Sequence, residues 1–185
     1  MALMIKTPPA SEPVSLTEAK SFLRITDSDD DALITSLITA VRQKAESWTR
    51  RSFITQTWTL WLDLVPEGFN VPIPLSPLQS ITHIKSYDLA NAVSTIDSNN
   101  YLVDTASTPG RVALNDGQAW PTALRRINVL EVEFVAGFGD ASSIPESIKQ
   151  GILQWIKLLF ANKSKLYESD ESTSGLLELN RIPIP

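Results

Sequence analysis

The period of the hydrophobic residues changes twice along this chain, and no other feature constrains the fold as strongly. Leu33, Ile34, Leu37, Ile38, Val41, Ala45 and Trp48 recur at spacings of three and four, the stripe of an amphipathic helix. At Ile54 the period becomes two. Ile54, Trp58, Leu60, Leu62 and Leu64 alternate with Thr55, Thr57, Thr59 and Asp63, which predicts a half-buried strand. At Ser143 the helical period returns, with Ile148, Ile152, Trp155, Ile156 and Leu159 as its stripe. A fold that satisfies both periods is α+β. The expected architecture is a helical core of two N-terminal helices plus a C-terminal helix, with a small antiparallel β unit inserted between them and an extended C-terminal tail.

Local signals set the boundaries. Residues 1–14 carry Pro8, Pro9 and Pro13 and no periodicity, so they read as an extended arm. Ser15-Leu-Thr-Glu18 is a capping box opening a short helix with Ala19, Phe22 and Leu23 on one face. Asp27, Asp29 and Asp31 have the first-third-fifth spacing of a calcium loop, but Ala32 and Ile38 stand at the sixth and twelfth positions where glycine and glutamate are needed. The run therefore reads as the start of the second helix, with Ser28 as N-cap and Asp31 closing its box. Arg50 and Arg51 suit the negative helix end. Within residues 54–140, Ile81 to Tyr87, Tyr101 to Val103, Arg111 to Leu114 and Ile127 to Ala136 are strand segments. The last of these turns Leu130, Val132, Phe134 and Ala136 to one side. Val71 to Pro77 holds three prolines, which confine it to an edge or a bridging segment. Ser143-Ile-Pro-Glu146 is a further capping box. The expected organisation is an arm (1–14), a connected domain (15–165, with helices in 15–53 and 143–165 and the insert at 54–140) and a tail (166–185).

Composition removes whole classes of chemistry. There is no Cys and one His, so thiol nucleophiles, zinc-thiolate sites and multi-histidine metal centres are excluded. His83 sits between Thr82 and Ile84 on a predicted strand. No G-x-S-x-G elbow gives it a serine partner, and it reads as a structural or surface residue. Gly137-Phe-Gly139 lacks the third glycine of a dinucleotide loop and reads as a hairpin end. Glu131 and Glu133, two apart on one strand, read as a solvated stripe. The expectation is no catalytic residue, no cofactor and no metal. Net charge is −5. Arg50-Arg51, Arg125-Arg126, Lys163 and Lys165 make too small a basic footprint for a nucleic-acid-binding surface. The first residues carry no signal-peptide pattern, and Ile152 to Phe160 is too short to span a bilayer. A soluble protein made in the cytoplasm is expected.

The order helix, helix, β insert, helix, tail resembles the phage head–tail connector (adaptor) proteins, in the subfamily with a β insert between the helices. Leu16-Thr-Glu-Ala-Lys-Ser-Phe-Leu-Arg-Ile25, Asp30-Asp-Ala-Leu-Ile-Thr-Ser-Leu-Ile38 and Ala45-Glu46 leading to Arg51 carry the likeness. So do Pro74-Leu-Ser-Pro-Leu-Gln-Ser-Ile81, Tyr87-Asp88, Val135-Ala-Gly-Phe-Gly139 and Ile144-Pro145. The resemblance covers residues 14–165. It implies a non-enzymatic protomer of a ring, dodecameric in such proteins, beneath the portal. DNA passes through such a ring without sequence-specific binding, a tail or stopper protein binds below, and no membrane is involved. The place implied is the virion head–tail junction, after assembly in the host cytoplasm. Lys163 stands where an arginine is expected near the end of the last helix. The apolar end of the chain, with Leu176, Leu177, Leu179, Arg181, Ile182 and Ile184, is the implied portal-docking segment. A rival reading is a β-rich binding module, for carbohydrate, using Trp61 or Trp120.

Overall fold

The computed structural model describes residues 1–66 and 68–161. The described residues divide into two compact units: residues 1–8 with 55–137, and residues 9–54 with 138–161. All the strands lie in the first and the three α-helices in the second, so the two changes of period mark two of the three crossings between them, and the third falls after residue 8.

The β unit carries β1 (Ala2–Thr7), β2 (Gln56–Leu62), β3 (Asn70–Pro72), β4 (Leu78–Tyr87), β5 (Val93–Thr95), β6 (Tyr101–Asp104), β7 (Arg111–Leu114) and β8 (Leu130–Ala136). They form a five-stranded sheet in the order β1-β2-β8-β4-β5 and a three-stranded sheet in the order β3-β7-β6, every pairing antiparallel. The central strand β8 turns Leu130, Val132, Phe134 and Ala136 inward, all fully buried. Leu60, Ile84, Val71, Val112 and Leu114 join them in one cluster drawn from both sheets. The alternation on β8 is therefore visible in the sequence because one of its faces is core and the other is not.

Two strand readings change. Ala2–Thr7, within the stretch read as an arm, pairs with β2 as the edge of the large sheet. Only Leu3 is sheltered there, so backbone hydrogen bonds hold the strand and no alternation betrays it. Leu64, assigned to the inward face of β2, is 79% exposed. The strand ends at Leu62, and the Asp63 carboxylate accepts the Asn128 N–H at 3.0 Å in the turn beyond.

The helical unit holds α1 (Leu16–Leu23), α2 (Asp31–Thr49) and α3 (Glu146–Ala161). Ser15 caps α1 as a full box: its hydroxyl accepts the Glu18 N–H at 3.1 Å, and Glu18 accepts the Ser15 N–H at 2.7 Å. The other two boxes are replaced. Asp30, not Ser28, stands at the α2 N-cap, and Asp31 is drawn instead to Lys20 at 2.5 Å. Before α3, Asp140 accepts the N–H groups of Ser142 and Ser143 in a short 3₁₀ turn, so Ser143 is already engaged. In each place a neighbouring carboxylate or ammonium competes successfully with the local cap.

The core of this unit joins Ile34, Leu37, Ile38, Val41 and Ala45 of α2 to Ile148, Ile152, Trp155 and Ile156 of α3, with Val14, Phe53, Ile54 and Ile144 from the connecting segments. Leu33 and Trp48, placed on the buried stripe by spacing, are exposed. Leu33 lies about 100° round the helix from Ile34. Trp48 is in the last turn, where Thr49 takes the buried place and its hydroxyl donates to the Ala45 carbonyl at 2.7 Å. The tail from residue 166, with all six of its portal-docking candidates, lies outside the described residues.

Candidate functional site

Two places concentrate polar groups. The first lies on the outer face of the five-stranded sheet. The pleat that buries Leu130 and Val132 turns Glu131 and Glu133 to the opposite face. Register sets Trp61 and Lys85 beside Glu131, and Thr59 and His83 beside Glu133. These carboxylates are not the solvated stripe expected of them: Glu133 is buried and Glu131 half-buried. Each is answered by cations and donors. Lys6 pairs with Glu133, the Tyr87 hydroxyl donates to Glu131 Oε2, and His83 Nε2 lies 3.1 Å from Glu131 Oε1. Burial pushes the Glu131 carboxyl up. The Tyr87 hydroxyl, His83 and Lys85 outweigh it and hold the group below the ordinary carboxylate range. Burial, then the bond to Glu131, push the Tyr87 phenol up to about 12, so it remains a donor at neutral pH. The Arg125 guanidinium stacks 3.9 Å above the Tyr87 ring.

His83 and the two glutamates are the set among the described residues with the donor types and spacing to hold a metal ion. The two tryptophans considered as binding platforms are otherwise occupied. Trp120 is buried and its indole N–H donates to the Gly68 carbonyl at 3.2 Å. Trp61 is half-buried and tilts against Tyr87, centroids 5.7 Å apart. Neither offers the open ring that would stack on a sugar. Gly137 and Gly139 have φ of +136° and +130°, the conformation of a turn leaving β8 rather than of a phosphate cradle.

The second place is in the helical unit, and its one sequence signal is the four-residue spacing of Arg42 and Glu46 on α2. Arg42 on α2 is buried, with its Nε on Glu12 at 2.7 Å and an Nη on Glu46 at 2.7 Å. Thr39 donates to the other oxygen of Glu12 at 2.9 Å, and Glu46 accepts the Phe53 N–H at 2.8 Å. Burial lowers the Arg42 pKa, but the two carboxylates more than reverse this and leave it raised. The network ties the segment before α1 and the exit from α2 to one point. Glu12 falls in the proline-rich stretch, where no spacing rule pairs it with residue 42. A groove of about 430 Å³ opens between α1 and α3, lined by Val14, Thr17, Phe22, Lys149, Gln150 and Leu153.

Among the described residues the architecture thus offers packing surfaces and charge networks. A sequence model of the family described as phage gp6-like head-tail connector protein matches residues 13–109, more than half of the chain. The chain belongs to this family. The connector's fold also recurs among solved structures. A protein in the neck of an empty GTA particle, computed with C6 symmetry, superposes with a TM-score of 0.83 at 19% identity, over 100% of the connector and 98% of that chain. One from the virion of a native gene transfer agent (GTA) particle gives 0.82 at 20% identity with the same coverage. One from the neck of a native GTA particle, computed with C12 symmetry, gives 0.77 at 19% identity, again over 100% and 98%. No match was found among curated proteins. The structural head–tail connector role follows from family membership, and the carbohydrate-binding reading finds no open ring at Trp61 or Trp120.

Proposed function

We propose that this connector works as one protomer of a homo-oligomeric ring at the head–tail junction, with no enzymatic activity. The family match over residues 13–109 carries the reading, and the likeness of the fold to neck proteins of particles treated with C6 and C12 symmetry supports it. Twelve copies fit that symmetry. Each subunit would offer one surface to a neighbour and a different one back, a contact that closes only when the rotation closes. The portal would lie on the head side and a tail or stopper protein on the other. A net charge of −5 suits a conduit, because a strongly basic wall would retain the phosphates of passing DNA. Assembly takes place in the host cytoplasm.

Within this reading, residues 15–165 form the connector domain and residues 166–185 its docking tail. Leu176, Leu177, Leu179, Ile182 and Ile184, with Arg181 and the prolines Pro183 and Pro185, have the composition of a segment that binds in extended form. The test mixes the purified chain with portal-bearing heads and counts bound subunits by electron microscopy. Ring density at the portal vertex is expected, lost on deletion of residues 176–185 while the thermal midpoint of the free protein stays in place. Wild-type occupancy by the truncated chain would remove the tail from the mechanism, and absence of binding by the full chain would remove the ring.

A further inference from the structure

The outer sheet face brings three ligand atoms, from His83, Glu131 and Glu133, within 4.8 Å of one another. The strand pleat builds this arrangement. Residues two apart on β8 share a face, and the register lays His83 of β4 across from Glu133. His83 Nε2 lies 3.1 Å from Glu131 Oε1 and 3.8 Å from Glu133 Oε2. A tetrahedral zinc ion with bonds of about 2.0–2.1 Å holds its nitrogen and oxygen ligands roughly 3.3 Å apart, close to these separations. We propose that this cluster binds a divalent transition-metal ion of the zinc class, with His83 Nε2, Glu131 Oε1 and Glu133 Oε2 as protein ligands and water completing the shell.

The donor set selects the class of ion. One imidazole with two carboxylates suits zinc and its first-row neighbours, whereas magnesium and calcium favour all-oxygen shells. The surroundings also fit. Tyr87 donates to Glu131 Oε2 and so leaves Oε1 directed at His83, the kind of outer contact that orients a metal ligand. The three side chains are 18, 13 and 8% exposed, sheltered yet open to entry from solvent. The cations facing the cluster are Lys6 on Glu133, Lys85 with Nζ 3.9 Å from Glu131 Oε1, and Arg125 over Tyr87. Lys6 is the direct competitor, because its ammonium sits on the oxygen the ion would use. Its side chain is 55% exposed, so it can swing into water as the ion enters. A purely structural ion-pair cluster would lose order when Lys6 is removed; a metal site would gain affinity.

The experiment uses the full chain without a polyhistidine tag, stripped with chelator and titrated with zinc chloride by calorimetry. One saturable site is expected, weakened by about tenfold or more in His83→Ala and tightened in Lys6→Met. His83 is the chain's single histidine, so its ring resonances report ligation without assignment. They are expected to shift with zinc and not with magnesium. Lack of saturable zinc binding overturns the proposal, as does an affinity unchanged in His83→Ala or lowered in Lys6→Met. Should His83→Ala fail to fold, the wild-type resonances decide: an imidazole unmoved at saturating zinc refutes the site.

Discussion

Replacing Arg42 by alanine tests the account of the helical unit most directly. The guanidinium is 7% exposed and holds two carboxylates, Glu46 at 11% and Glu12 at 29% exposure. Removing one member of a buried pair costs about 3–5 kcal/mol, mainly because the remaining charge is left without compensation. Glu46 would bear that cost nearly in full. Glu12, more open, would recover part of its hydration, so the lower end of the range, about 3 kcal/mol, is expected for Arg42→Ala. Glu12→Gln keeps the Arg42–Glu46 pair and removes a partly exposed charge, and about 1 kcal/mol is expected. The assay is urea unfolding followed by far-UV circular dichroism, with an unchanged denaturant slope as the check that the end states are the same. An Arg42→Ala loss below about 1 kcal/mol, or a Glu12→Gln loss equal to it, would refute the claim that the network is anchored by a desolvated arginine.

Leu37→Ala, deleting a buried side chain between α2 and α3, is expected to cost about 2–5 kcal/mol in the same assay, whereas Leu33→Ala on the exposed flank should cost under about 0.5 kcal/mol. Asp104 accepts from Ser107, Ala106 and Arg111 and is held at about 2, below its ordinary 3.8. Its folded pKa is depressed, so its contribution is present above pH 3.8 and lost as pH falls through 2. Asp104→Ala should therefore lower the urea midpoint at neutral pH, and the deficit should narrow as pH drops through that window. The aspartate run at 27–31 should show no calcium site of micromolar order by calorimetry, because Asp31 is bonded to Lys20 and the later ligands of such a loop are absent. A calcium isotherm abolished by Asp29→Ala would contradict this.

The element types were legible in the sequence wherever one side of an element packs into an apolar core and the other carries polar residues. That condition writes a period into the residues, and α2, β8 and α3 all show it. The Ser15–Glu18 box was legible because both partners lie three residues apart in the chain. The tertiary structure decided what depends on distant partners. Residues 2–7 form a strand because β2 supplies backbone groups to pair with, and an exposed edge needs no pattern of its own. Ser28 and Ser143 lost their expected roles where nearby charges offered other bonds. Arg42 meets Glu12 across 30 positions. His83, Glu131 and Glu133 were each visible as single residues, and the first was read as inert and the others as solvated. Their convergence follows from the register of β4 on β8, which backbone pairing and the burial of Ile84, Val132 and Phe134 set together. Local spacing encodes which face a side chain takes; only the paired chain settles what it faces.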